Sequence, residues 1–442
     1  MGAASRTLVL CLAVLLAGFG CAPKLFEVCT DGLDNNGNGR IDCQDEGCST
    51  HPYCRATVYN TYVGEHPSGR EVQWAEGVQG VTHDDGNWYI TQTRTLWRIP
   101  AGVDLDSAAR GVPGVGTVEL QGIGDLWRRG YDHFGDPGYY KFEGRGYLFV
   151  PLEDDRREAP PAVAVFYAEN LRYIGYAVLD GLEAAPWCAL DPQGVLYSSN
   201  TTNSGAVHTF EVDWTTLRSG GKGWLKPAGR LTLLDESGYP VTIDTPQGGV
   251  ISQNGRLLYI SAGYCEGSHP SWGIHVFDLQ TRKRIARSGN GSGPFNYEFH
   301  PAWRCSGEEP EGMTIWDLDG SSAPPQVAGG LHVLMLDNDI GDDEVYFKHY
   351  THESAYPVMY EHVNYGGRPF PLRASIYSNL EANDFNDMAS SIWIPSGWSV
   401  EVFKDADFAG DSVRLTAPDA NLHEEGWHDS ISSIRVFPPA DR

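Results

Sequence analysis

The sequence predicts an all-β protein: a five-bladed β-propeller followed by a sandwich of two Greek-key motifs, with a short Cys-rich segment ahead of both. Three observations carry this prediction. No stretch beyond the N-terminal leader shows the 3.6-residue apolar period of an amphipathic helix. One order of strands and turns recurs five times in the middle of the chain, and a segment of roughly forty residues occurs twice near its end. Glycine (52), tyrosine (22) and tryptophan (13) are abundant, as tight turns and β-strands require.

At 442 residues the chain is long enough for more than one domain, each with its own core. Its 58 Asp and Glu outnumber 32 Lys and Arg, a formal charge of −26. Such a field repels nucleic acid and anionic lipid surfaces, and suits an exterior protein in contact with divalent cations.

Residues 1–20 read as a secretion signal: Arg6 supplies a basic start, and Leu8 to Leu16 form an apolar run too short to span a bilayer. The run Ala17-Gly18-Phe19-Gly20-Cys21 resembles a bacterial lipoprotein cleavage site, with Cys21 as the lipid acceptor. The expected location is therefore extracellular or at the cell envelope, with the membrane reached only through that anchor. Disulfides persist in such a compartment. Residues 21–57 form the Cys-rich segment, in which Cys29, Cys43, Cys48 and Cys54 imply two disulfides whose pairing the sequence leaves open. Between them Asp34, Asn36, Asn38 and Asp45 hold the first, third, fifth and twelfth positions of a calcium loop, with Gly39 at the sixth. The other reading of this stretch is an Asn/Gly-rich tether.

Residues 58–350 carry the five-fold recurrence. Each segment opens on a strand rich in small residues, turns, and continues with two apolar strands. The segments start at Gln79, His133, Trp187, Gln247 and Glu311, 54 to 64 residues apart. Turn signals such as Asp85-Gly86-Asn87 and Gln253-Asn254-Gly255 fall between first and second strands, where hairpins need them. Four-stranded sheets repeated radially at this period are the propeller pattern. Glycine and alanine in the first strands fit innermost positions, where bulky side chains would collide. The region looks like secreted bacterial propeller proteins, without matching a family of known chemistry.

If the five segments are equivalent, Gln79, His133, Trp187, Gln247 and Glu311 gather at the mouth of a central channel and could bind a carbohydrate or protein ligand. Asp84, Asp85, Asp136 and Glu153 lie one turn or strand away, with Asp337 and Asp339 after the fifth segment's second strand. Five-bladed propellers include arabinanase-like enzymes with three axial carboxylates. That resemblance implies an alternative in which Glu311 is the acid and Asp136 or Asp84 the base, roughly 6.5–9.5 Å apart for inversion. The plainer reading is that these polar groups hold water and knit the blades together. Of the remaining cysteines, Cys265 and Cys305 lie in long loops and are expected to pair, which leaves Cys188 as a buried thiol.

The final region, residues 351–442, contains the two-fold repeat. One copy opens with Tyr360, Tyr365 and Gly367 and closes with Asn386-Asp387-Met388-Ala389-Ser390-Ser391. The other opens with Phe403, Phe408 and Gly410 and closes with His428-Asp429-Ser430-Ile431-Ser432-Ser433. The glycines suit the positive φ of a folded-over hairpin, with the two aromatics packing across its corner. The closing loops offer carboxylate, hydroxyl and carbonyl oxygens, the hard donors that Ca2+ prefers. Here the sequence resembles the βγ-crystallin family, whose microbial calcium-binding members carry Asn/Asp-Asn/Asp-x-x-Ser/Thr-Ser. The resemblance implies Asp387 and Ser390 as side-chain ligands with a Met388 carbonyl, and Asp429 and Ser432 with a Ser430 carbonyl. His428 departs from the pattern and puts the second loop in doubt. The competing reading is that Asp and Ser only cap turns.

Together these readings describe an extracellular, envelope-tethered, calcium-binding protein without catalytic activity. A secreted glycoside hydrolase is the alternative.

Overall fold

The structure, a computed structural model, describes residues 37, 60–202, 205–253, 255–263, 272–288, 308–318, 325–337, 343–351, 357–363, 368–372, 375–394, 398–419 and 421–437. The leader, Cys21, the Asp34–Asp45 loop apart from Gly37, the four cysteines around it, Asp339, Tyr365, Gly367, Cys265 and Cys305 lie outside them. Met1–Cys54 and Arg55–Arg442 are separate units.

Among the described residues the larger unit is all-β, with two single-turn α-helices, α1 (Gly124–Trp127) and α2 (Trp214–Arg218), and a few 3-10 turns. After β1 (Tyr62–Glu65), a first antiparallel sheet contains β2 (Val78–His83), β3 (Asn87–Gln92), β4 (Thr95–Pro100) and β5 (Gly116–Glu119). A second holds β6 (His133–Phe134), β7 (Gly138–Phe142), β8 (Arg145–Glu153), β9 (Ala162–Tyr167) and β10 (Arg172–Val178). The third is β11 (Ala189–Leu190), β12 (Leu196–Ser198), β13 (Ala206–Val212) and β14 (Leu225–Thr232). The fourth is β15 (Pro246–Ile251), β16 (Leu257–Ala262), β17 (Gly273–Asp278) and β18 (Arg284–Arg287). The fifth joins β19 (Glu308–Glu309), β20 (Met313–Ile315), β21 (Leu331–Asp337) and β22 (Glu344–Tyr350) to the distant β1.

Middle strands such as Ala162–Tyr167 and Leu257–Ala262 are buried along their whole length. Their sheets are covered on both faces, so their sequences are continuous apolar runs rather than alternating ones. Each gap between successive sheets has its own core. Tyr89 and Leu96 meet Leu148 and Phe166; Phe149 and Val165 meet Leu196 and Phe210; Trp187 and Val207 meet Leu258 and Ile260. Tyr259 and Val276 then meet Met335 and Tyr350, and Leu334 and Phe347 of the fifth sheet meet Trp88 and Trp97 of the first. The opening strands follow the same order, with β2, β7, β11, β15 and β20 each beside the next and β20 beside β2.

At their meeting point lies Asp136, fully buried in the break between β6 and β7. Its Oδ1 accepts from Val81 N at 2.9 Å, its Oδ2 from Gly249 N at 3.0 Å, and Met313 N also donates to it. Its own N–H donates to Pro186 O at 2.8 Å and its carbonyl accepts from Cys188 N at 3.1 Å. Burial raises its pKa well above the usual carboxylate range, and the three N–H donors oppose that rise. Glycine is required around it: a Cβ on Gly80 would lie 2.3 Å from Asp136 Cα, and one on Gly312 would lie 2.4 Å from Asp136 Oδ1 and Gly80 Cα.

Strand β1 pairs antiparallel with β22, Tyr62 opposite Tyr350. Lys348 Nζ reaches Glu65 Oε2 at 3.0 Å with both groups largely shielded.

The C-terminal sandwich has two sheets. One is β23 (Val358–Tyr360) between β24 (Pro369–Pro371) and β26 (Ser391–Trp393). The other orders β25 (Ile376–Tyr377), β29 (Ser433–Phe437), β27 (Ser399–Asp405) and β28 (Ala409–Leu415). Thus β25 of the first repeat sits in the second repeat's sheet, and Asp419 of the second bridges to Ile392 of the first. Gly410 has φ 74°, and Phe403 packs edge-on against Phe408 at 5.6 Å. The sandwich meets the fifth sheet where Val358 and Tyr360 pack with Val63 of β1.

Two histidines, His332 buried and His83 half-buried, make stability depend on pH. His83 stacks on Trp316 at 4.6 Å, and His332 Nε2 lies 2.8 Å from Trp316 O. Burial lowers their pKa to about 3 and about 4 from the ordinary 6.5. The fold favours the neutral rings, so their contribution is complete above pH 6.5 and is lost as pH falls from there toward 4. Comparing His332→Gln with the parent by thermal scans at stepped pH should show a shallower loss of Tm for the variant over that window.

Two substitutions test the centre by urea unfolding. Asp136→Asn turns one acceptor into a donor facing a backbone N–H and should cost about 1–3 kcal/mol. Gly312→Ala, with nowhere for its methyl group, should cost about 3 kcal/mol or more.

Candidate functional site

Two places bring functional groups together. The first is a cavity of about 510 Å³ beside the opening strands. Gln79, His133, Gln247 and Glu311 line it, from the first, second, fourth and fifth sheets. Trp187 does not. The structure corrects its expected place: it is fully buried between the third and fourth sheets, its Nε1 donating to Ser199 Oγ at 2.9 Å. Its ring fills the space left by Gly249, where a Cβ would come within 2.4 Å of it. Pro186 and Thr201, in the segments flanking β11 and β12, line the cavity on that side instead.

The groups in this cavity are paired. His133 Nε2 lies 2.6 Å from Gln79 Oε1, and its Nδ1 lies 3.1 Å from Asp155 Oδ1. Gln247 Nε2 donates to Glu309 Oε2 at 2.9 Å, and Glu309 and Glu311 hydrogen-bond each other. Glu311 is only 2% exposed, and burial, reinforced by the Glu309 charge, pushes its pKa well above the usual range. Asp343 Oδ2 accepts from Gly77 N at 2.6 Å, and Glu153 from Ala185 N. Glu309, Asp155 and Asp343 were not singled out in the sequence. Glu309 had a signal, since residues two apart on a strand share a face; Asp343 had none.

Both candidate bases for Glu311 need correction. Asp136 is sealed, its two oxygens spent on backbone N–H groups. Asp84 lies at the other end of β2 from Gln79, where Oδ1 accepts from Gly86 N at 2.8 Å and Oδ2 from Tyr89 OH at 2.6 Å; it holds a hairpin turn. Asp85, also in that turn, is exposed. Cys188 is buried and unpaired, its thiol donating to Phe149 O at 3.2 Å, and burial pushes its pKa up, the opposite of an activated nucleophile.

The second place is the pair of closing loops in the sandwich. Asp387 and Asp429 both take left-handed backbone, φ 52° and 46°, a conformation Asp tolerates better than most residues. The loops interlock: Asp387 N donates to Ile431 O at 3.1 Å and Asp429 N to Ala389 O at 3.0 Å. Their side chains cross in the same way. Ser432 Oγ lies 3.2 Å from Asp387 Oδ1, and Ser390 Oγ lies 3.4 Å from Asp429 Oδ1. Each carboxylate therefore faces the serine of the other repeat, not the serine of its own loop. Repeat arithmetic along the chain gives no sign of this exchange.

The second serines anchor the loops, Ser391 Oγ donating to His362 O at 2.7 Å and Ser433 Oγ to Asp405 O at 2.6 Å. His428 takes up the role that Asn386 has in the first loop. Asn386 Nδ2 donates to Asp387 Oδ2 at 2.8 Å, and His428 Nε2 sits 3.2 Å from Asp429 Oδ2. Both leave Oδ1 turned to the opposite serine. Ser430 Oγ is buried with no hydrogen-bond partner.

Comparison with known proteins places this region. The profile of peptidase inhibitor family I36 matches residues 359–415. A βγ-crystallin of Ciona intestinalis is 37% identical over 82 residues, 18% of this chain and 93% of the relative. Spherulin-3A of Physarum polycephalum is 30% identical over 80 residues, 18% of this chain and 78% of the relative. Among solved structures, the Ciona intestinalis βγ-crystallin shares 34% identity over 18% of this chain and 98% of its own, with a TM-score of 0.17. A βγ-crystallin domain of Flavobacterium johnsoniae shares 28% identity over 20% and 98%, with a TM-score of 0.18. With most of the length of two relatives matched at 30% identity or more, the chain belongs, through its C-terminal sandwich, to the βγ-crystallin family.

Proposed function

We propose that this is a calcium-binding protein of the cell exterior, tethered at Cys21, whose five sheets are the blades of a propeller that binds a carbohydrate or protein ligand without turning it over. The reciprocal loop pairing carries the calcium part. Oxygens 3.2 and 3.4 Å apart are spaced as neighbours in a shell with bonds of about 2.3–2.6 Å. Asp387 with Ser432, and Asp429 with Ser390, supply the side-chain donors. Carbonyls of Met388 and Ser430 are further candidates, and the Asp34–Asp45 loop is a third site. Because the ion binds oxygens from both repeats, it joins the two Greek keys. His428 acts beside Asp429 as Asn386 does beside Asp387, so the second site is retained.

The cyclic succession of cores and opening strands supports the propeller, and the cavity of Gln79, His133, Gln247 and Glu311 is its ligand site. The hydrolase alternative is left without either of its bases, Asp136 and Asp84. In the non-enzymatic reading Glu311→Gln leaves polysaccharide hydrolysis at the same background level as the parent; a hydrolase would lose turnover. The family I36 match supports a second role for the sandwich, blocking a peptidase, which assays of the purified chain against metallo- and serine peptidases would decide.

Calorimetry of the whole chain tests the calcium reading. At free calcium a hundredfold over Kd, the sandwich should gain about 2.7 kcal/mol per occupied site, which raises its transition by about 11–22 °C for each ion bound. Asp387→Ala and Asp429→Ala should each remove one bound ion and part of that gain, while His428→Asn should leave the stoichiometry unchanged. Persistence of the full shift in the double Asp variant would refute the assignment.

A further inference from the structure

The cavity's charge is one-sided. Among the described residues, Glu153, Asp155, Glu309, Glu311 and Asp343 line it and no Lys or Arg does. His133 is held between Gln79 and Asp155. Within that pair a carboxyl group only 2% exposed has another carboxyl as its hydrogen-bond partner. Two like groups in that arrangement share a proton, because both cannot stay ionised side by side. A positive group that replaced the proton would satisfy both at once.

A bare metal ion does not fit this arrangement. Among the described residues, the group with three His, Cys, Asp or Glu ligand atoms within 4.8 Å of one another is His66, Asp104 and Asp106. That group lies outside the cavity, and its charge is already met by Arg70, 3.5 Å from Asp106 Oδ1. Among the described residues no three cavity carboxylates come within 4.8 Å of one another, and about 510 Å³ is the size of a small-molecule site.

We propose that the cavity takes its ligand by a protonated primary amine, received between Glu309 and Glu311. Gln247 holds Glu309 in place, and Glu153, Asp155 and Asp343 provide the negative field at the rim. The ligand class is an organic ammonium: an amino sugar, a lysine side chain or a polyamine. This rests on the reading of the cavity as the ligand site.

The test is calorimetric titration of the whole chain in saturating calcium and about 0.15 M NaCl, where screening beyond about 8 Å suppresses loose binding to the acidic surface. The probes are a glucosamine trisaccharide, its fully N-acetylated counterpart, a trilysine peptide and spermidine. At least one amine probe should bind with one-to-one stoichiometry, and which one identifies the source. The acetylated sugar should not bind. Glu309→Gln and Glu311→Gln should each weaken the amine probe about tenfold or more. Gln79→Lys, which places an ammonium inside the cavity without touching the buried pair, should abolish binding even if Glu311→Gln fails to fold. Equal binding of the acetylated sugar, unaffected by the glutamine variants, would overturn the ammonium assignment and keep the ligand site. A calcium ion lost in those same variants would make this a metal site. Silence from every probe, charged and neutral, would remove the ligand-site reading as well.

Discussion

Asp136 accepts hydrogen bonds from the backbone of the first, fourth and fifth sheets, bonds through its own main chain to the third, and belongs to the second. One buried residue therefore fixes the spacing of all five. Burying a carboxyl group is unfavourable unless its oxygens are met, and here backbone N–H groups meet them, which no side-chain substitution can remove. Sequence freedom is restricted nearby instead. Gly80, Gly249 and Gly312 must lack a side chain for their strands to approach so closely, and each strand carries that restriction beside otherwise ordinary β-formers. The cavity opens next to this point, so the groups lining it are held on rigid strands.

Much of the fold was legible because the physics that builds it is local. Sheets covered on both faces need unbroken apolar strands, and Ala162–Tyr167 and Leu257–Ala262 stand out as such. Outer strands leave no such trace: Leu225–Thr232 is mostly exposed, and β1 has a partner nearly three hundred residues away. Four of the five residues expected together line one cavity because the opening strands near them lie side by side. Trp187 does not, because Gly249 in the next sheet leaves a slot that its indole fills. Asp136 read as a possible base because a carboxylate in a strand break looks like chemistry; only its three donors show that it is structural.

The C-terminal loops carry the same lesson in another form. The repeat was plain from Gly410, Phe403, Phe408 and the paired serines, yet the repeat unit is not the binding unit. Exchange of β25 between the sheets brings the loops against each other, so the carboxylate of one repeat meets the hydroxyl of the other. Chain order alone cannot reveal a contact made by strand exchange. His428, which breaks the pattern by residue type, keeps the same place, since its Nε2 lies 3.2 Å from Asp429 Oδ2 and the Asn386 amide meets the matching oxygen of Asp387.

The pairing of β1 with β22 sets an order of assembly. A ribosome makes Tyr62–Glu65 before any of the five sheets, but its partner, Glu344–Tyr350, is among the last strands made before the sandwich. The first strand must wait with its hydrogen-bonding edge unmet while four sheets form. Closing so long a loop adds little free energy, because the entropic cost rises only by about 0.6 kcal/mol per doubling of length, but it delays completion, as distant pairings do. Tyr360 and Val358 then pack onto Val63, so the sandwich covers the seam after it closes. A chain cut short before residue 344 would keep four finished sheets and a free edge, and that truncated species is the one most prone to pair with its neighbours.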